Sequence, residues 1–268
     1  PDTDTDDEIA SALKRNRLKT AAGRVRLLDV ARLRNIRAAA RCLPAYLSDA
    51  DAAVRAAALQ AAATLAGERE IAAVFDAACR ASQRTEKRAA EQALFALSRN
   101  YPAASADAVR ALLANAKPDS RRLLLQALGI SGSPKGLDAV VASLKDADPD
   151  VADDALRVLA AWKDPAATPA LLEQAKSHAK NSLRILALRG FIRLIGQMSQ
   201  TEARAAMCRE AAALATRTEE KLLLAAAWAT VPTPEAVAAL KPYLADDALK
   251  TEALKALKIL ALKVPVDV

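Results

Sequence analysis

One histidine, His178, and three cysteines, Cys42, Cys79 and Cys208, are all the imidazole and thiol chemistry available to this 268-residue chain. Ser177 directly precedes His178, but adjacent residues of a helix do not face each other and cannot share a proton. No Asp or Glu lies three or four residues from His178 to orient its ring, and Lys176 and Lys180 flank it instead, so a nucleophile–base–acid relay is not expected. The cysteines are odd in number, unpaired in spacing and set in amphipathic helical patterns. They read as small apolar fillers rather than a disulfide framework or a zinc site. On these residues the chain is expected to have no catalytic residue, cofactor or metal, and not to be an enzyme.

The chemistry that remains is recognition by fixed cations and amides. A pattern typified by Asp51-Ala-Ala-Val-Arg-Ala-Ala-Ala-Leu59 recurs from starting points Val54, Glu86, Ser120, Val151, Leu183, Glu220 and Leu249, at intervals of 32, 34, 31, 32, 37 and 29 residues. Aligned on these starts, position two is almost continuously basic: Arg55, Lys87, Arg121, Arg184, Lys221 and Lys250, interrupted only by Ala152. Its long stems suit packing along a core with the charged heads reaching acids of neighbouring turns, such as Asp51, Asp119, Asp148 or Asp247. Position seven reads Gln60, Gln92, Gln126, Arg157, Arg189, Ala226 and Lys255, while position three adds Arg88 and Arg122, and Arg193 lies one turn beyond Arg189. Planar guanidinium and amide groups suit carboxylates and peptide backbone. The expected partner-binding set is therefore Arg88, Gln92, Arg122, Gln126, Arg157, Arg189 and Arg193.

A period near 32 residues requires one helical hairpin per repeat, stacked on its neighbours because no hairpin can bury its apolar face alone. Composition agrees. Ala and Leu dominate, Gly is limited to seven residues and aromatics to 3%, and these favour helix throughout. No period-two run of β-branched residues predicts a strand, and no apolar stretch of eighteen residues escapes charge, so no membrane insertion is expected. The spacing predicts second helices of successive hairpins over 52–65, 86–99, 121–130, 151–162, 181–195, 219–230 and 248–263. First helices are expected over 37–47, 68–82, 103–116, 136–144 and from Asp164-Pro165, over 201–216, and from Val231-Pro-Thr-Pro-Glu235 to near Tyr243. Asp7–Arg17 and Ala21–Leu33 read as a degenerate opening hairpin. Ser48 and Asp51 are candidate N-caps, Gly67 a left-handed helix stop, and Gly196-Gln-Met-Ser-Gln200, where the interval stretches to 37, a soft joint.

The turn Leu144-Lys-Asp-Ala-Asp-Pro-Asp-Val151 and the run Asp51–Leu59 resemble HEAT repeats, particularly their short Ala-rich bacterial kind. The resemblance implies an all-α fold: a right-handed α-α superhelix of about eight hairpins, with the second helices lining a concave surface. It covers nearly the whole chain, read as one solenoid over 1–268. Gly190-Phe-Ile-Arg-Leu-Ile195, Glu219–Leu224 and Thr233–Val237 through Ala256–Ile259 are also similar to repeat arrays of large secreted bacterial proteins. There such arrays accompany sugar-acting domains of the 3-keto-disaccharide hydrolase type. This implies an accessory region of a larger bacterial protein, and leans toward a periplasmic or secreted setting over a cytoplasmic one. The acidic opening Pro1–Glu8 reads as a processed or excised start.

The expected function is thus a protein-interaction scaffold, monomeric in isolation, holding an acidic protein or peptide. The alternative is a DNA-binding or DNA-repair module resembling the HEAT-like alkylpurine DNA glycosylases. The net charge of +7 and the run Lys14-Arg15-Asn16-Arg17-Leu18-Lys19 with Arg24, Arg26, Arg32, Arg34, Arg37 and Arg41 suit nucleic acid. Asp2, Asp4, Asp6, Asp7 and Glu8 lie beside them and offset that charge. Trp162 and Trp228 sit on the core-facing pattern, and aromatic platforms for stacking bases are otherwise lacking. HEAT-type hydroxylases carry repeated His-Glu pairs that this sequence lacks, and no feature favours the phycobilin-lyase relatives.

Overall fold

The computed structural model describes residues 3–15 and 18–263. Among them are sixteen α-helices, joined by short 3-10 turns, and no β-strand. Asn16 and Arg17 of the basic run, and Pro1 and Asp2 of the acidic opening, lie outside the described residues. Contacts group the chain into two compact units that divide between Asp154 and Ala155.

The first unit holds α1 (Thr3–Arg15), α2 (Ala21–Leu33), α3 (Leu43–Leu47), α4 (Ala52–Leu65), α5 (Ile71–Arg80), α6 (Arg84–Asn100), α7 (Pro102–Leu113), α8 (Pro118–Ser131) and α9 (Leu137–Ser143). In this unit α2, α4, α6 and α8 pack in succession as one layer, and α3, α5 and α7 pack in succession as the other. The helix α10 (Pro149–Ala160) runs across the division. The second unit holds α11 (Thr168–Ser177), α12 (Asn181–Ile195), α13 (Thr201–Leu214), α14 (Thr218–Trp228), α15 (Pro234–Leu240) and α16 (Asp247–Ala261). Here α12, α14 and α16 form the continuous layer, with α11, α13 and α15 against them.

The layer of longer helices is built from the repeated pattern. Position five (Ala58, Ala90, Leu124, Ala155, Ala187, Leu224 and Ala253) is 0% exposed in all seven cases. A column of mostly Ala lets successive helices approach closely, and the surrounding Leu side chains fill the rest. A close approach lies at Gly190 of α12, where a Cβ would stand 2.8 Å from the carbonyl oxygen and 2.9 Å from the Cα of Ala160. Trp162 and Trp228 are both buried, as their place in the pattern predicts.

First helices are shorter than the periodicity suggests, for a local reason. Residues 37–42 form a 3-10 turn before α3, residues 134–136 before α9 and residues 165–167 before α11, and residues 241–245 follow α15 in the same form. Pro44, Pro134, Pro165 and Pro242 stand at the first positions of a turn or helix in these places. Proline is tolerated in a first turn, where its missing N–H has no intrahelical acceptor anyway, but not further in.

The caps divide between success and correction. Asp51 accepts from the N–H groups of Ala53 (2.8 Å) and Val54 (3.4 Å) and opens α4. Ser48 instead ends α3. Gly67 is not left-handed: at φ −109° it is extended, and its N–H donates to the Glu70 carboxylate at 2.9 Å. That carboxylate gives the chain a polar partner at the turn, so no left-handed residue is needed. The glycine that does stop a helix this way is Gly132, φ 57°, after α8.

Candidate functional site

Three arginines of the longer-helix layer each reach the next helix of that layer and bind a carboxylate there. Arg55 Nε lies 2.6 Å from Glu86, Arg122 Nε 2.7 Å from Asp154, and Arg189 2.7 Å from Glu220 through both Nε and Nη2. Glu86 and Glu220 are 2% exposed, although the sequence gives them position one, normally apolar. A buried carboxylate is tolerated only when paired and hydrogen-bonded, and Glu86 also accepts from the N–H groups of Ser82 (3.3 Å) and Gln83 (3.0 Å). Burial alone would raise its pKa, but the bonds from Arg55, Gln83 and Ser82 together outweigh burial and hold it below the ordinary value.

Three of the six position-two cations reach acids, mostly different ones from those expected, while Arg184 donates to the Asn181 side chain at 3.1 Å. Arg55 donates to the carbonyl oxygens of Asp49 (2.8 Å) and Ala50 (2.9 Å) as well as to Glu86. Arg121 pairs with Asp146 at 3.2 Å, and Lys87 stands 3.9 Å from Asp119. A two-aspartate device explains why Asp146 is used rather than Asp148. Asp146 accepts from the Asp148 N–H at 2.9 Å and takes the arginine, whereas Asp148 caps α10 through Asp150 N–H at 2.9 Å. The same device operates at Asp49, bound by Arg24 at 3.0 Å, and Asp51, the cap of α4. In both cases the arginine stands 25 residues before its aspartate.

Position seven faces solvent along the layer. Gln60, Gln92, Gln126, Arg157, Ala226 and Lys255 are exposed, and Arg189 is half-buried by its bond to Glu220. In the first unit, Arg88 and Gln92 are exposed on α6, and Arg122 and Gln126 lie on α8. In the second, Arg157 lies on α10 and Arg189 and Arg193 on α12. Arg122, Arg189 and Arg193 differ in kind. Arg122 and Arg189 keep 42% of their side chains exposed while the inner edge is fixed on a buried acid. Arg193 is exposed as a residue, yet its head is engaged: its Nη2 donates to the carbonyl oxygen of Ala160 at 3.1 Å and to that of Trp162, at the end of α10. Burial pulls its pKa down. Sequence spacing gave Arg193 a place in the row but could not show that helix-end carbonyls claim its head.

A cleft of about 1190 Å³ opens in the first unit between the α5–α6 and α7–α8 turns. Arg122 and Gln126 line it, together with Lys87, Glu91, Lys117 and Ser120. Elsewhere the remaining chemical candidates are dispersed. Ser177 Oγ donates to the Glu173 carbonyl at 2.8 Å, and His178 Nδ1 accepts from the Lys180 N–H at 3.1 Å, so the two side chains have separate partners. Cys208 is buried and Cys42 and Cys79 half-buried; burial, then Glu235, pushes the Cys208 thiol up to about 12. Among the described residues no group of three or more His, Cys, Asp or Glu is placed to hold a metal ion, and no helix is long and apolar enough to cross a membrane.

Residues 105–191 match the family model for HEAT repeats. That stretch carries α7 to α12 almost entire and resembles HEAT repeats, and the described residues are all-helical. No curated protein matches it. Among solved structures it is similar to human deoxyhypusine hydroxylase in complex with glycerol, at 16% identity and a TM-score of 0.42, over 87% of this chain and 99% of that one. It is also similar to the complex of CpcE and CpcF of phycocyanin lyase from Nostoc sp. PCC7120, at 16% identity and a TM-score of 0.38, over 94% and 93%. One expectation is corrected by these likenesses. The structures similar to this chain include a hydroxylase and a lyase, so the lack of a catalytic relay in the sequence does not make the chain a non-enzyme. A helical-repeat frame carries either kind of site, and the frame alone does not choose.

Proposed function

We propose that the chain is a binding module that captures an acidic protein or peptide segment on the exposed row of its longer helices. The observation that supports this most directly is the state of Arg122 and Arg189. Each is fixed along its inner edge by a buried carboxylate of the next helix, while its outer edge stays in water. A guanidinium oriented before the partner arrives loses little freedom on binding. In the first unit Arg88, Gln92 and Gln126 stand exposed on α6 and α8, the layer that carries Arg122; in the second Arg157 stands exposed on α10, and Arg193 contributes by fixing the end of that helix.

The pairing decides how the row must be tested. Reversing Arg122 or Arg189 to Glu would leave a second acid against Asp154 or Glu220, and breaking a buried pair costs about 3–5 kcal/mol. Loss of binding in such variants would report unfolding. Arg88→Glu combined with Gln92→Glu touches no such pair. Binding of a fluorescein-labelled Glu-rich decapeptide, followed by anisotropy in low salt, is expected to weaken at least about tenfold in that variant, with far-UV circular dichroism unchanged. Equal binding by both proteins would remove the row as the capture surface. The further reading, an accessory region of a larger bacterial protein with a sugar-acting domain, rests on resemblance, and the genomic reading frame around the segment tests it.

A further inference from the structure

The cleft in the first unit is where the repeat breaks its own rules. Position one is filled in the other longer helices by Val54, Val151, Leu183 or Leu249, or by the buried Glu86 and Glu220, but α8 has Ser120 there, and it is half-exposed. Position six is a buried Leu in α4, α8, α10 and α12 (Leu59, Leu125, Leu156, Leu188) and a buried Ala225 in α14; in α16 it is Leu254, apolar though exposed, and in α6 alone it is a charged residue, Glu91, exposed. Both departures line the same opening. A shortened side chain at one position and a carboxylate turned outward at the other leave unfilled the space a repeat interface normally closes. Ser120 uses its hydroxyl to fix the rim, donating to the Cys79 carbonyl at 3.1 Å.

The charges on the walls indicate what fits. Four cations and three acids line the cleft. Asp76 is taken by Arg80 at 2.9 Å, and Asp119 stands 3.9 Å from Lys87 with both side chains largely in water. Lys117 has no partner among the described residues, and the outer edge of Arg122 is open. Cations therefore exceed acids at the mouth, above a floor that includes Leu112 and Leu123.

We infer that this cleft is the anchoring pocket for the captured segment: it takes one apolar side chain of an extended acidic peptide. The apolar group lies over Leu112 and Leu123 in the space beside Ser120. Flanking carboxylates meet Lys87, Lys117 and Arg122, and Glu91 accepts a main-chain N–H of the same segment. This rests on the capture function proposed above and adds to it a specificity for an apolar residue among acids.

The test is an amide-shift titration of the 15N-labelled full chain with an acetylated decapeptide of Glu and Asp carrying one central Leu, and with the same peptide carrying Gly there. With the Leu peptide, signals of Ser82, Glu91, Asn115 and Ser120 should move, and the Gly peptide should bind at least about tenfold more weakly. Ser120→Leu, which restores the column residue, should abolish those shifts; Glu91→Leu provides the same closure if the first variant fails to fold. Shifts confined to Arg88 and Gln92, shifts that persist in both filled variants, equal binding of the two peptides, or no shift at millimolar peptide would each overturn the pocket. If Arg88→Glu abolishes binding and the filled variants do not, the exposed row stands and the pocket falls. The reverse result keeps the pocket and removes the row.

Discussion

At the scale of single residues, the informative positions are those where a charged group occupies a core column. Glu86 stands at position one, where the pattern calls for Val or Leu, and is buried under Arg55 with two backbone N–H groups on its carboxylate. Because the folded pKa is depressed below the ordinary 4.5, linkage makes its contribution fully present above that value, and it is lost as pH falls through the lowered folded value. Glu86→Gln should therefore lower stability in urea unfolding at pH 7, by about 1.5–3 kcal/mol for a charged hydrogen bond. The difference from the parent chain should shrink progressively below pH 4.5. A difference that stays constant down to pH 3 would show that Glu86 acts through packing alone. The sequence marked this residue as a departure from the column, but its pairing with Arg55, 31 residues away, became visible only when successive helices were set side by side.

At the scale of helices, close approach is what permits the layer, and Gly190 marks one tight point. An alanine there would drive its Cβ into the Ala160 backbone, which cannot swing aside as a side-chain tip could. Gly190→Ala should cost about 1–3 kcal/mol, the usual range for overpacking, and lower Tm in a thermal melt. An unchanged or higher Tm would mean that α10 and α12 can separate without loss. Helix caps were legible in part. Asp51 accepts local N–H groups as its position before α4 predicts, Ser48 ends α3 instead, and Thr233 and Asp164 cap a helix and a turn in the same way as Asp51. The failure at Gly67 shows the limit of reading glycine from sequence: a nearby Glu70 carboxylate supplied the partner and the backbone stayed extended.

For the molecule as a whole, the +7 charge raises nucleic acid as a competing ligand. Three cations of the basic opening are already engaged: Arg34 lies 2.6 Å from Asp6, Arg24 3.0 Å from Asp49, and Arg32 3.3 Å from Asp29. Duplex DNA is expected to give no gel shift at 150 mM salt, and at most a weak one in low salt that disappears steeply as salt rises. A retarded band persisting at 150 mM salt would favour the nucleic-acid reading over peptide capture.

The sequence by itself determined the all-helical repeat and the buried columns. Each follows from the period of apolar residues within a hairpin and the period of hairpins along the chain, and both are local properties of the string. Only the tertiary structure decided which arginines are spoken for, which carboxylates are buried, and where the stack is open. Those outcomes depend on the facing residues of the next helix, roughly one repeat away, and on the space left when two departures such as Ser120 and Glu91 fall against the same gap.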